Sequence, residues 1–245
     1  MSDIGHNIIG DIHGRDCWKQ LVDDHFVNVF IGDFFDPYTF SISFDDCKCN
    51  FGEIIDYKKQ HPDKTILLWG NHELHYLLQR ELDERYSRFD YKNSDEIEQI
   101  LEDNSCYFSG VAYSIGKEYL VTHAGVSRYW YMRWFGTYNG ESPDTVAEEI
   151  NNLWNLNRRA FSVQGNGTFP YDQDSVTQSP LWVRSWALEK CNLFENTSCR
   201  PVFGHTQCSR IRELNGLICI DCLGNATRCE NTTPMTLKIQ TILCH

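Results

Sequence analysis

The chain has 245 residues, with 22 Lys and Arg against 34 Asp and Glu, a formal charge of −12. Its 41% hydrophobic and 23% charged content supplies enough apolar area to offset the ordering entropy, so disorder is excluded as the main state. The acidic balance argues against a nucleic-acid backbone as partner, and no run approaches the ~18 uninterrupted apolar residues of a membrane span.

In chain order, Asn7-Ile8-Ile9-Gly10 runs into Asp11, and Trp18, Leu21 and Val22 then repeat at helical spacing. Val27-Asn28-Val29-Phe30-Ile31-Gly32 runs into Asp33, and Thr65-Ile66-Leu67-Leu68-Trp69-Gly70 runs into Asn71. Helical spacing returns at Leu74, Leu77 and Leu78, and again at Ile97, Ile100 and Leu101. Strands alternating with helices predict a parallel sheet with helices on its faces. Hairpins follow. Val111 to Ser114 and Glu118 to Thr122 flank Gly116, and Tyr119-Leu120-Val121-Thr122 runs into His123. Pro201-Val202-Phe203-Gly204 runs into His205, and Arg210 to Leu214 and Leu217 to Asp221 flank the turn pair Asn215-Gly216. The expected fold class is α/β, with a second, more antiparallel sheet. One domain over residues 1–245 is expected, because splitting the chain would split the polar residues that end these strands.

The start, Met1-Ser2-Asp3-Ile4-Gly5-His6, has neither the basic cap nor the apolar core of a secretory signal, and eleven cysteines are an odd number. Both features predict reduced thiols and a cytoplasmic location. Cys219-Ile220-Asp221-Cys222 has a metal-like spacing but no second pair of that kind, so its cysteines, like Cys47 and Cys49, are read as small buried hydrophobes rather than a structural zinc site.

Five apolar runs thus deliver Asp, Asn or His, and four of them do so through Gly, which lets the backbone turn sharply or approach a ligand. Strands sharing a sheet with aligned carboxyl ends would gather these groups at one edge. Asp11 and His13 stand two apart on a turn, Asp33 can bridge two ions, Asn71 offers a carbonyl oxygen, and His123 and His205 offer imidazoles. Oxygen and nitrogen donors without thiolate suit Mn²⁺, Fe or Zn²⁺. Two such ions close together can activate a bridging hydroxide and clamp a phosphoryl group. The string His72-Glu73-Leu74-His75 is no zinc-protease motif, since its second His comes three residues on rather than four.

Gly10-Asp11-Ile12-His13-Gly14, Gly32-Asp33-Phe34-Phe35-Asp36, Gly70-Asn71-His72-Glu73, His123-Ala124-Gly125 and Gly204-His205, in that order, resemble the signature of the calcineurin-like metallophosphoesterases, most nearly the phosphoprotein phosphatase type. The resemblance implies a four-layer α-β-β-α sandwich of two mixed sheets flanked by helices. It implies two divalent transition-metal ions, Mn²⁺ first and Fe or Zn²⁺ as alternatives. Asp11, His13 and Asp33 would hold one ion; Asp33, Asn71, His123 and His205 would hold the other. His72 would be the general acid, oriented by Asp36, and a metal-bridging hydroxide would attack phosphorus in line. The substrate would be a phosphomonoester, first a protein Ser/Thr phosphate. A dinucleoside polyphosphate or other nucleotide is the rival within enzymes, and an inactive metal-bearing binding module the rival outside them.

Pro37-Tyr38 stands where the family usually has Arg-Gly, so one phosphate clamp is absent. Arg184 is the leading candidate for a second clamp, with Arg133, Arg158 and Arg159 as alternatives. Arg15, Tyr38 or Arg80 could take over part of the missing contact. Five of the seven tryptophans, Trp130, Trp134, Trp154, Trp182 and Trp186, lie between the two later His motifs. They read equally as core or, over residues 126–183, as an aromatic wall that sets specificity.

Overall fold

The computed structural model describes residues 5–78, 88–164, 175–224 and 236–239. The strand runs fold as β1 (His6–Ile9), β2 (Val27–Phe30), β3 (Thr65–Leu67), the hairpin β4 (Ala112–Ile115) and β5 (Tyr119–Thr122), β6 (Arg200–Phe203), the hairpin β7 (Arg212–Leu214) and β8 (Leu217–Cys219), and β9 (Thr236–Ile239). They form two sheets, ordered β3-β2-β1-β9 and β4-β5-β6-β8-β7. Each sheet is mixed. β1, β2 and β3 run parallel with β9 antiparallel at the edge, while β5, β6 and β8 run parallel between antiparallel β4 and β7. The five strand ends are therefore divided between two sheets, three and two, rather than gathered in one.

Alternation along the strands shows how the sheets pack. Ile8, Val29, Val121, Val202 and Ile218 belong to one aliphatic cluster. Their neighbours Ile9, Phe30 and Leu120 belong to a second cluster and Phe203 to a third, where helices and loops cover the outer faces. A side-chain period of two places the first set between the sheets and the second set outside them. Full burial of each such side chain contributes about 1.5–3 kcal/mol.

Helices occupy those outer faces: α1 (Phe44–Gln60), α2 (Asn71–Leu77), α3 (Ser94–Asp103), α4 (Arg128–Phe135), α5 (Pro143–Leu156) and the single turn α6 (Ser185–Leu188). α1 starts at a reciprocal cap between Ser43 and Asp46 and buries Cys47, Asn50, Phe51, Ile54 and Ile55 on one stripe. Its Phe51 ring meets Phe34 and Phe35 at 5.5 and 5.2 Å. α5 lies on the other sheet. There the Asn151 amide accepts from the Val111 and Ala112 main-chain amides at 2.8 and 3.0 Å and donates to the Ala112 carbonyl at 2.9 Å, closing the polar edge at β4.

The helix expected around Trp18, Leu21 and Val22 is only a 3-10 turn, Cys17–Gln20. The side chains of buried Asn7 and Asn28 capture the carbonyls of Leu21 and Asp23 at 2.8 and 3.1 Å, which ends the turn there.

Candidate metal centre

At the carboxyl ends of β1, β2 and β6 the chain enters turns that side chains rarely adopt. φ is +47° at His13, +55° at Asp33, +58° at Asp36 and +59° at His205. Such backbone costs about 1–3 kcal/mol per residue and persists only where the surroundings over-determine it. Around Asp33 they do. The amides of Asp33 and Gly70 donate to Oε2 of buried Glu73 at 2.8 and 2.9 Å, and the Phe34 amide donates to Oε1 at 2.7 Å. Burial and then the charge of Asp33 raise Glu73 to about 7. At His205, the amide donates to the Asp11 carboxylate at 3.0 Å. Glycine is required at two neighbouring positions, because a Cβ on Gly70 would overlap the carboxylate of Asp33 and one on Gly204 that of Asp11.

The two sheets turn these ends toward one another. Nδ1 of His13 lies 3.0 Å from the Phe35 carbonyl, and Nδ1 of His123 lies 2.9 Å from the Ile31 carbonyl. A carbonyl only accepts, so each ring carries its proton on Nδ1 and turns an Nε2 lone pair inward. Those Nε2 atoms stand 3.5 and 3.4 Å from Oδ2 of Asp33. The Asn71 side-chain oxygen stands 2.8 Å from both Nε2 of His123 and Nδ1 of His205. His123 therefore meets Asp33 and Asn71 lone pair against lone pair, and a cation among them would turn each repulsion into a ligand bond.

Two groups of side chains could hold metal ions: His13 with Asp33 and His72, and Asp33 with His123 and His205. All are buried, with ligand atoms within 4.8 Å of one another in each group. Burial lowers His13 to about 3 and also lowers His123 and His205, which favours the neutral form that an imidazole needs to hold a metal. Asp11 adjoins these groups and shares a hydrogen bond with Asp221. Burial, then the charges of Asp221 and Asp33, push Asp11 well above the usual carboxylate range, while burial and Asp33 raise Asp221 to about 6. Five acids, Asp11, Asp33, Asp36, Glu73 and Asp221, are buried in this region. So dense a buried negative charge fits a cationic guest.

His72 behaves differently from the other rings. Its Nδ1 is 2.7 Å from Oδ2 of Asp36, and its Nε2 is 3.8 Å from Asp33. Burial alone would lower its pKa, but the charges of Asp33 and Asp36 and the Asp36 hydrogen bond raise it to about 9. The two carboxylates thus favour the protonated ring, which has a proton to donate. Tyr76 donates its hydroxyl to the other Asp36 oxygen and accepts from the Asp90 amide at 3.0 Å, which fixes the pair.

Half-buried Arg184 donates to the His205 carbonyl, and so stands at the centre. The exposed Tyr38 ring meets His13 edge-on, with 4.5 Å between centroids. Arg15 donates to the carbonyls of Asp11 and Ile12, both at 3.3 Å. Arg88 lies 4.4 Å over the Tyr38 ring and donates to the Pro37 carbonyl at 3.3 Å. Arg133 and Arg158 instead cover Trp134 and Trp154, Arg159 is exposed on the 3-10 turn Arg158–Phe161, and Arg80 lies outside the described residues. Trp130 and Trp154 are core, Trp134 and Trp186 are exposed, and the Trp182 ring reaches the site, 5.8 Å from His205 and 5.0 Å from His75. Glu73, Tyr76, Asp221 and Arg88 are the neighbours that sequence reasoning missed. A signal existed for two of them. Glu73 sits three residues after Gly70 at a capping-box position, and Leu217-Ile218-Cys219-Ile220 runs into Asp221 as the other strands run into their acids.

The family model for calcineurin-like phosphoesterases matches residues 7–209. The chain belongs to that family. No curated protein matches it. Among solved structures, a Saccharomyces cerevisiae protein serine/threonine phosphatase with similarity to human phosphatase PP5 is similar at 15% identity and a TM-score of 0.54, covering 99% of this chain and 82% of that one. That likeness is one of fold, and it agrees with the two mixed sheets flanked by helices expected from the motifs. As a calcineurin-like phosphoesterase the chain is a phosphoric-ester hydrolase that works with divalent metal ions on a phosphorylated substrate. No helix among the described residues is long and apolar enough to cross a membrane.

Proposed function

We propose that this phosphoesterase hydrolyses phosphomonoesters with two divalent transition-metal ions, Mn²⁺ first and Fe or Zn²⁺ as alternatives, and that a protein Ser/Thr phosphate is its leading substrate. One observation carries the reading: the buried carboxylate of Asp33 is shared by two groups of imidazoles, His13 with His72 and His123 with His205, and His72 is also hydrogen-bonded to Asp36. The yeast neighbour, described as a protein serine/threonine phosphatase, supports the choice of substrate. We place the protein in the cytoplasm, where its thiols stay reduced.

Asp11, His13 and Asp33 would hold one ion, and Asp33, Asn71, His123 and His205 the other. Bound there, such ions acidify water and offset the charge of phosphoryl oxygens. The protein's own groups do the rest. His72 keeps one N–H on Asp36 and has the other to give to the leaving oxygen, which must be protonated as it departs. Asp36, fixed by Tyr76, holds the ring in line. Arg184 receives phosphoryl oxygens from the His205 side, Asn71 adds a contact beside His123 and His205, and Tyr38 adds one from the His13 side. Trp182, within the segment 126–183, narrows the space beside His205 and sets specificity.

A screen of a phosphopeptide, p-nitrophenyl phosphate and a diadenosine polyphosphate with added Mn²⁺ tests the reading. Fastest turnover of the phosphopeptide is expected. Fastest turnover of the diadenosine polyphosphate would move the substrate to nucleotides, and metal binding without turnover of any would make the chain a metal-bearing binding module.

A further inference from the structure

Nine cysteines lie among the described residues, each as a thiol outside any disulfide. Two of them face each other next to the metal centre. The sulfurs of Cys208, three residues beyond His205, and Cys219, on β8, are 4.0 Å apart. Cys208 Sγ donates to the Asp221 carbonyl at 3.3 Å, and Cys219 Sγ donates to the Thr206 carbonyl at 3.3 Å. The Cys208 amide donates to the same Asp221 carbonyl at 2.8 Å, so the loop that carries His205 is laced to the segment that carries Asp221. Cys208 is half-buried and lines a surface cavity with Arg210 and Arg212, whereas Cys219 is buried behind it. One thiol is thus reachable by a small solute, and its partner is sheltered within reach of it. A disulfide needs sulfurs about 2.05 Å apart, a closure of about 2 Å that a side-chain rotation of one or both residues can supply.

We propose that Cys208 and Cys219 form a site of reversible oxidative modification, closed to a disulfide by a peroxide. The Cys208 sulfur, having lost its proton, attacks one peroxide oxygen. The O–O bond breaks, and the departing hydroxide takes up a proton to leave as water and Cys208 sulfenic acid. The Cys219 sulfur then attacks the Cys208 sulfur. The S–O bond breaks, the released hydroxide takes the Cys219 proton, and the S–S bond forms. Two thiols lose two electrons, and one hydrogen peroxide becomes two waters. A small dithiol reverses the bond by exchange. Closure consumes both S–H donors and so removes the Cys208 bond to the Asp221 carbonyl and the Cys219 bond to the Thr206 carbonyl, two ties of the loop that carries His205, so oxidation lowers metal retention by the group of Asp33, His123 and His205. That consequence rests on the phosphoesterase reading; the disulfide itself does not.

The test treats the full chain with equimolar hydrogen peroxide, blocks remaining thiols with N-ethylmaleimide and maps unreduced peptides by mass. A linked Cys208–Cys219 peptide, two hydrogens lighter than its halves, is expected, lost on dithiothreitol treatment and absent from Cys208→Ser and Cys219→Ser. Both variants should keep the metal content and turnover of the untreated protein, and the treated wild type should lose up to one ion per chain. Two alkylated thiols, a link from Cys208 to another cysteine, or irreversible sulfinic acid at Cys208 would each overturn the proposal. A linked peptide with unchanged metal content would overturn the coupling to the centre. Absence of phosphoesterase turnover before any oxidation would count against the proposed function alone, because peptide mapping is independent of activity.

Discussion

The same strands build two regions of opposite character a few residues apart. Midway along them, Ile8, Val29, Val121, Val202 and Ile218 interlock between the sheets with almost no exposure and no polar atom in their side chains. At their carboxyl ends the chain buries five acids and the four imidazoles His13, His72, His123 and His205, with left-handed backbone at His13, Asp33, Asp36 and His205. The aliphatic layer is stabilising at about 25 cal/mol per Å² of apolar surface removed from water. Buried charge and left-handed backbone are destabilising. The difference teaches that the two regions are held by different means: apolar burial fixes the layer between the sheets, and hydrogen bonds such as those Glu73 receives hold the rim in a geometry suited to chemistry.

Substitutions should separate the two regions. The largest effect is expected for Asp33→Asn, which removes the shared carboxylate. Changes to groups that only support metal ligands cost 10–100-fold in affinity or activity, so this one should exceed about 100-fold in both. His72→Asn should lower kcat by about 10²–10⁴-fold with metal content kept, the range for losing a general acid. Parallel loss of metal would instead make His72 a ligand, as its place beside His13 and Asp33 allows. In the aliphatic layer the pattern reverses. Ile8→Ala should cost about 3 kcal/mol of folding stability in a urea titration of the metal-free protein, with metal affinity of the folded form nearly unchanged.

Two smaller effects refine the rim. Arg184→Gln should raise KM about tenfold with a smaller change in kcat, and an unchanged KM would place the phosphate contact elsewhere. Tyr76→Phe removes one hydrogen bond to Asp36 worth about 1 kcal/mol. It should lower kcat about fivefold and leave KM and metal content alone.

Much of this was legible in the sequence because the site residues end short apolar runs, a pattern that survives without tertiary information. Asp11, Asp33, Asn71, His123 and His205 all follow such runs, and the structure brings all five together. What escaped depends on contacts made across the fold. α1 hides because its buried stripe includes Cys47 and Asn50, and Asn50 is there to accept from the Trp18 indole at 2.8 Å. Asp221 was masked by the cysteines around it, which drew the reading toward thiols. Arg88 comes from a distant part of the chain to the turn at Pro37, and no spacing rule connects them. The expected helix near Trp18 failed for a related reason: the asparagines that stop it lie on β1 and β2.

The central claim is that Asp33 belongs to two metal sites at once. Elemental analysis of the wild type, His13→Gln and Asp33→Asn after saturation with Mn²⁺ tests it most directly. Two ions per chain are expected in the wild type, one in His13→Gln and close to none in Asp33→Asn. A full single ion retained by Asp33→Asn, or a wild type that saturates at one, would contradict the account.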